Sequence, residues 1–464
     1  MNEKPTAGLL PLYLKLYDDC VPDRRPEIEA FRDRVEAGLK DQGVEVVAAP
    51  ICRLKPDFDA AVKTLEDGSV DILVTLHLAY SPSLECIDAL CETGLPLLAL
   101  DTTPDFRFDQ TVDPDRIMYN HGIHGVQDMT SMLRRRDRPY EIVAGHLTES
   151  DVLARAADIV RAAHAARRLS TTRALRIGES FAGMGDFDVP PDVLKDVLGI
   201  AVDEIPPGAL EPFVAGVSDA EIEAELAVDR ERFEVRAGDE VHRRSVRLGL
   251  GVRRCLAERG VDAFSMNFLS FESADGAVDT VPFLESSKAM ARGVGYAGEG
   301  DVLTASLVRA LLSAWPETTF TEIFCPDWAG GTIFLSHMGE VNPAVAAARP
   351  LVCEKPFPYT PAQDPAVLAC APRPGPAVFV NLTPGPDDSF RLIVAPVEVM
   401  ADSEREDMQD KVRGWIRPSG STAEFLEAYS WLGGTHHSAL VLGDHAEALA
   451  AFARFAGIEC CIIE

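Results

Sequence analysis

Over its first 170 residues the chain alternates short apolar runs with amphipathic stretches, and this alternation restricts the fold more than any other feature. Residues 8–13, 44–49, 71–76, 95–101 and 140–144 are short, apolar and bounded by polar or Gly/Pro residues, as strands buried on both faces are. Between them, residues 27–39, 58–65, 83–92 and 122–136 carry apolar side chains at helical spacing. Five strands separated by helices imply a parallel, doubly wound sheet with helices on each side. Ligands of such sheets gather beyond the strand C-termini, here residues 13–19, 77–81 and 101–106.

A long helix rich in Ala and Arg, 150–168, leads to the polar boundary Ser170-Thr171-Thr172. The alternation then resumes with strand 174–178, a glycine-bearing loop 179–188, helix 191–198 and strand 199–205. Helices near 219–227 and 240–259 and a strand at 263–268 follow. From about residue 320 the runs turn β-like, at 321–325, 331–336, 377–382 and 390–394, with Pro-rich connections, before helix 446–455 and strand 459–463. The expected class is α/β. A flavodoxin-like N-terminal domain (1–170) and a middle domain (171–318) each hold a doubly wound parallel sheet, and a β-rich C-terminal domain (319–464) follows.

Charge narrows the function. With 44 basic and 74 acidic side chains the net charge is −30, which opposes nucleic acids and anionic membranes as partners. Apolar runs such as 95–100 fall far short of the roughly 20 residues a membrane span needs. No apolar segment follows a basic start at the N-terminus, so a cytoplasmic protein is expected. The ten cysteines are scattered without a Cys-x-x-Cys pair, which points to free thiols in a reducing compartment.

Gly293-Val294-Gly295-Tyr296-Ala297-Gly298 matches G-x-G-x-x-G, but the preceding residues 282–292 read as a helix. A dinucleotide site needs a strand there. The glycines are therefore expected to end that helix and turn the chain before Glu299 and Asp301, where the next helix starts. The histidines are more informative. His436-His437 follows the flexible turn Gly433-Gly434-Thr435, and His337 ends the strand 331–336. Glu322 lies among apolar neighbours, where a carboxylate without a partner costs several kcal/mol. Glu299, Glu322, His337 and one of the paired histidines together offer two carboxylates and two imidazoles. That O/N set suits Mn²⁺ or another divalent first-row ion such as Co²⁺, and the lack of thiolates argues against a structural zinc site.

Gly298-Glu299-Gly300-Asp301, Thr318-Thr319-Phe320-Thr321-Glu322, the run from Ser336-His337 to Asn342-Pro343, and Gly433-Gly434-Thr435-His436-His437 stand in the order found in L-arabinose isomerase. With Asn120-His121-Gly122-Ile123-His124-Gly125, the chain resembles that family, which is grouped with L-fucose isomerase. The resemblance implies a metal-dependent aldose–ketose isomerase working through a cis-enediol. Glu299, Glu322, His337 and His437 would be the metal ligands, with Glu299 and Glu322 also the acid/base pair. His124, His121, His436, Met184, Asp301 and Tyr13 would contact or support the sugar. The family implies a homo-oligomer, commonly a hexamer, in which His124 reaches a neighbouring active site. Two departures bear on the substrate. Leu10-Pro11-Leu12-Tyr13-Leu14 replaces the family's Gly-Ser-Gln-x-x-Tyr loop, and residues 181–186 match only loosely. L-arabinose, L-fucose, other aldohexoses and a sulfonated hexose such as sulfoquinovose stay open as substrates, with a neutral sugar favoured by the net charge. A non-catalytic sugar-binding protein on the same scaffold is the alternative.

Overall fold

A computed structural model describes residues 4–464, which divide into two compact units, residues 4–167 and 168–464. In the first unit β1 (Thr6–Leu12), β2 (Glu45–Ala48), β3 (Ile72–His77), β4 (Leu97–Asp101) and β5 (Glu141–Ala144) form a parallel sheet. Its order is β2-β1-β3-β4-β5, that of a flavodoxin-like sheet. The flanking helices turn their apolar stripes inward. Phe58, Val62 and Leu65, Ile87 and Leu90, and Met129 and Leu133 share a core with Leu10, Leu12, Leu73 and Leu97. Each such side chain contributes about 1.5–3 kcal/mol on burial.

The second unit opens on β6 (Arg173–Ile177) and β7 (Ala201–Ile205), passes through the short β8 (Glu234–Val235), and continues with β9 (Ala263–Met266) and β10 (Gly295–Gly298). Four of these make a second all-parallel sheet, β10-β9-β6-β7. The chain then changes character. β11 (Thr318–Asp327) and β12 (Thr332–Ser336) form a hairpin, and β13 (Leu351–Glu354) and β14 (Ala366–Ala369) join β8 in a small sheet. β15 (Gly375–Pro384), β16 (Phe390–Val399), β17 (Gly414–Pro418), β18 (His437–Leu442) and β19 (Glu459–Ile462) complete the strands. The antiparallel ladder runs β15-β18-β11-β12-β17-β16 and β16 pairs again with β15, so six strands close a barrel, with β19 parallel to β16. Closure leaves no free strand edge among the six. Ile333, Leu335, Phe379, Ile393, Ile416 and Leu440 lie in its core.

One local expectation is corrected. Residues 295–298 form the buried strand β10 rather than a turn. A Cβ at Gly295 would lie 2.1 Å from the Ala305 carbonyl oxygen, and one at Gly298 would lie 2.7 Å from the His337 ring. These glycines let a helix and an imidazole approach the strand backbone. The G-x-G-x-x-G pattern thus records close packing: its glycines lie just before and within β10, not in the loop after a strand where a pyrophosphate would meet a helix N-terminus. Among the described residues all ten cysteines are free, and no helix is long and apolar enough to cross a membrane.

Candidate metal centre

Three adjacent barrel strands bring residues far apart in sequence side by side. Glu322 of β11 stands opposite Ser336 of β12 on one side and His437 of β18 on the other. His337 follows Ser336, and an irregularity in β11 between Ile323 and Cys325 breaks the ladder just beyond Glu322. Glu299 comes from the end of β10, where φ is +62° at Glu299 and +87° at Gly300. A left-handed glutamate costs ~1–2 kcal/mol, so its surroundings must hold it there.

One oxygen of Glu299 and one ring nitrogen from each of His337 and His437 lie within 4.8 Å of one another. Glu322 stands beside this group, its Oε2 3.9 Å from His337 Nε2. A carboxylate backs each imidazole. His337 Nδ1 is 2.8 Å from Glu340 Oε2, and His437 Nδ1 is 3.1 Å from Asp301 Oδ2. With Nδ1–H donated in this way, Nε2 of the neutral ring carries the lone pair, as in metal-ligating histidines. The His437 Nε2 is buried and has no hydrogen-bond partner. Such an orphan is costly unless a cation takes its lone pair.

The support extends outward. Tyr296 Oη donates to Glu340 Oε1 at 2.8 Å, and the Gly339 N–H donates to Oε2 at 2.7 Å. Asp301 Oδ1 accepts from the Thr304 N–H at 2.8 Å and caps the helix Val302–Ala314. Phe320 meets both imidazoles edge-on, and Phe187 stacks on His437 with ring centroids 5.1 Å apart. A preorganised, partly dry set of N and O donors fits a divalent first-row cation held by Glu299, His337 and His437, with Glu322 near enough to join.

Burial and charge compete at each carboxyl. Burial raises Glu322, the three imidazoles lower it and Glu299 raises it again, so the group ends above the usual carboxylate range. Burial also raises Glu299, but its hydrogen bond with His436 and the charges of His437 and His337 outweigh that and hold it low. His436 makes its own pair with Asp186, whose Oδ2 lies 2.6 Å from the ring Nδ1 and 3.0 Å from the backbone nitrogen. Burial opposes both charges. The hydrogen bond to Asp186 nevertheless lifts His436 to about 10, and the hydrogen bond from His436 holds Asp186 at about 2.

The stability from this pair is fully present between the unpaired values of 3.8 and 6.5. It fades as pH falls through the Asp186 value or rises through that of His436. Asp186→Asn is expected to destabilise the metal-free protein by ~1 kcal/mol near pH 5, a figure reduced for the pair's partial exposure. Denaturant titrations over a pH series should show the deficit shrinking toward pH 10. A pH-independent deficit would rule out the charged pair.

Two family models match the second unit: the L-arabinose isomerase central domain over residues 194–314 and the L-arabinose isomerase C-terminal domain over residues 317–459. Together they cover more than half of the chain. The chain belongs to the L-arabinose isomerase family. That is a family of enzymes, aldose–ketose isomerases, which are intramolecular oxidoreductases. An L-arabinose isomerase of a Nocardioides species is 28% identical over 91% of this chain and 86% of its own length. One from Shouchella clausii is 27% identical over 99% of this chain and 94% of its own. One from Geobacillus stearothermophilus is 28% identical over 84% of this chain and 80% of its own.

Of the residues expected from sequence, Glu299, His337 and His437 gather, with Glu322 and His436 beside them. Asp301, expected to contact the sugar, is fully buried behind His437 with both oxygens engaged. Met184 is half-buried in a loop that touches the same turn, since the Phe181 N–H donates to the Glu299 carbonyl at 3.0 Å. Tyr13, His121 and His124 lie in the first unit. Tyr13 is buried with the Arg25 guanidinium over its ring. His121 contacts Tyr17 Oη at 3.0 Å, and its ring centroid is 5.9 Å from that of His124. Sequence reading did not single out Glu340, Asp186, Tyr296, Phe320 and Phe187. Glu340, three residues after His337, carried the one local signal.

Proposed function

We propose that this protein is a divalent-metal-dependent aldose–ketose isomerase acting through a cis-enediol. The observation that carries this reading is the buried Glu299–His337–His437 group, in which both imidazoles are carboxylate-backed and the His437 Nε2, 3.6 Å from Glu299 Oε2, makes no hydrogen bond. A bound Mn²⁺ or Co²⁺ would act as a Lewis acid toward the substrate oxygens. Glu299, His337 and His437 would hold it, with Glu322 as a fourth ligand. The remaining chemistry is proton movement. Isomerisation shifts one proton between C2 and C1, which needs a carboxylate that can accept and return it. Glu322, held above the usual range by burial, suits that task, and Glu299 completes the acid/base pair. His436, kept cationic by Asp186, can donate to a substrate oxygen. His124, His121, Met184 and Tyr13 are kept as sugar-contacting candidates.

L-arabinose is the first candidate substrate, as in the names of the relatives, followed by L-fucose and sulfoquinovose. We read the second unit as a middle domain to residue 318 and a β-rich domain from 319. We also propose a cytoplasmic homo-oligomer, of hexamer size, in which His124 serves a neighbouring site; solution mass measurement tests the size. The functional test is a panel of aldoses incubated with Mn²⁺ and assayed for ketose. Ketose from at least one sugar is expected. Saturable sugar binding without ketose would replace this reading with that of a binding protein.

A further inference from the structure

The sharp turn that delivers Glu299 is gripped by a buried arginine on a different strand. Arg176 lies inside β6, at 5% exposure. Burying a guanidinium there costs several kcal/mol unless its donors are used. Its Nε–H donates to the Gly300 carbonyl oxygen at 2.9 Å and its Nη1 pairs with Glu204 of β7, while its buried Nη2 has no hydrogen-bond partner. Gly300 is the residue between Glu299 and Asp301. Both Glu299 and Gly300 are left-handed, and a Cβ at Gly300 would come within 2.8 Å of the Glu179 carbonyl oxygen and the Ser180 Cα. The turn has no slack, and at Glu299 it carries a strained residue.

Its neighbouring carbonyls are taken by weaker donors. Phe181 N–H holds Glu299 O, and Ser265 Oγ holds Gly298 O at 2.9 Å. Arg176 supplies the charged donor, and hydrogen bonds from charged groups are about twice as strong as neutral ones. What the arginine fixes matters twice. Glu299 is one member of the candidate metal group, and Asp301 sets the Nδ1 of another, His437.

We infer that Arg176 is a positioning residue for the metal centre: by clamping the Gly300 carbonyl it holds Glu299 and the Asp301–His437 pair in register. This rests on the metal-dependent reading above. It assigns a role to a residue that touches neither cation nor sugar.

The test is direct Mn²⁺ binding to the metal-free protein, followed by the free-ion electron paramagnetic resonance signal, with unfolding midpoints measured alongside. Arg176→Met should weaken Mn²⁺ about 10–100-fold, the usual range for losing an outer support of a metal site. Arg176→Lys, which keeps a cationic donor, should recover part of that loss. Glu204→Gln weakens the ion pair but leaves the Gly300 clamp, and should bind Mn²⁺ within about 3-fold of wild type. Wild-type affinity in both Arg176 variants would overturn the inference. So would a loss in Glu204→Gln as large as in Arg176→Met, since the ion pair would then be the cause. If Arg176→Met does not fold, the Lys and Gln variants still decide. Absence of stoichiometric Mn²⁺ binding by the wild type would instead sink the metal reading itself.

Discussion

Glu322→Gln is expected to lower kcat by about 10³-fold, the middle of the range for general acid–base catalysis. Glutamine keeps the size and one acceptor oxygen, but it cannot take a proton from C2. The position favours this role over pure ligation. The compact donor group consists of Glu299, His337 and His437, with Glu322 beside it, part-exposed and pushed up by burial. A residue poised higher than an ordinary carboxylate is a better proton acceptor near neutral pH. KM and Mn²⁺ affinity should move much less than kcat. Steady-state kinetics with a Mn²⁺ titration on the same preparation separates the two. Full turnover by the variant would remove Glu322 from the chemistry, and a fall confined to metal affinity would make it a ligand only.

Stripping divalent ions with a chelator should abolish ketose formation, by ~10³-fold or more given the several kcal/mol a Lewis acid contributes. Added Mn²⁺ should restore it. The same ion should raise stability, by about 2.7 kcal/mol at a hundredfold excess over Kd, because it binds only the folded arrangement. His437→Asn should lose both responses while the metal-free variant stays folded, since the Nε2 removed makes no hydrogen bond within the protein. Restoration of activity by Mg²⁺ alone at low concentration would contradict the mixed N/O donor set, which favours first-row transition ions. Unchanged activity in the chelator would remove the metal from the mechanism.

How much of this was legible depends on how local the cause is. The five strands of the first unit were readable because each is a short apolar run with polar boundaries, and helices Pro191–Leu198 and Ala446–Phe455 matched residue for residue. β10 reads as a turn in sequence because glycine serves both turns and close packing, and only the partners Ala305 and His337 decide between them. β18 was hidden behind a polar start. His437 and Ser438 suit a strand there because Asn381 Nδ2 donates to the His437 carbonyl and Tyr429 Oη meets Ser438 Oγ, both from distant segments. In the site, the acidic residue within an apolar run and the paired histidines stood out by type. Asp186 and Arg176 did not, since nothing near them in sequence signals a partner 250 residues away for Asp186 or 124 away for Arg176.

The six-stranded closure has a consequence for dynamics. Glu299 directly follows the edge strand of an open parallel sheet, whereas His337 and His437 flank β11 in a ring of strands that has no end to fray. An ion bound to all three would fasten the open sheet to the ring across a long loop of chain, as a removable cross-link does. Amide exchange at the end of β10 would then slow with loading, while the ring, already without free edges, would change little. The end of β10 would act as the hinge-like side of the centre and the barrel as its anvil.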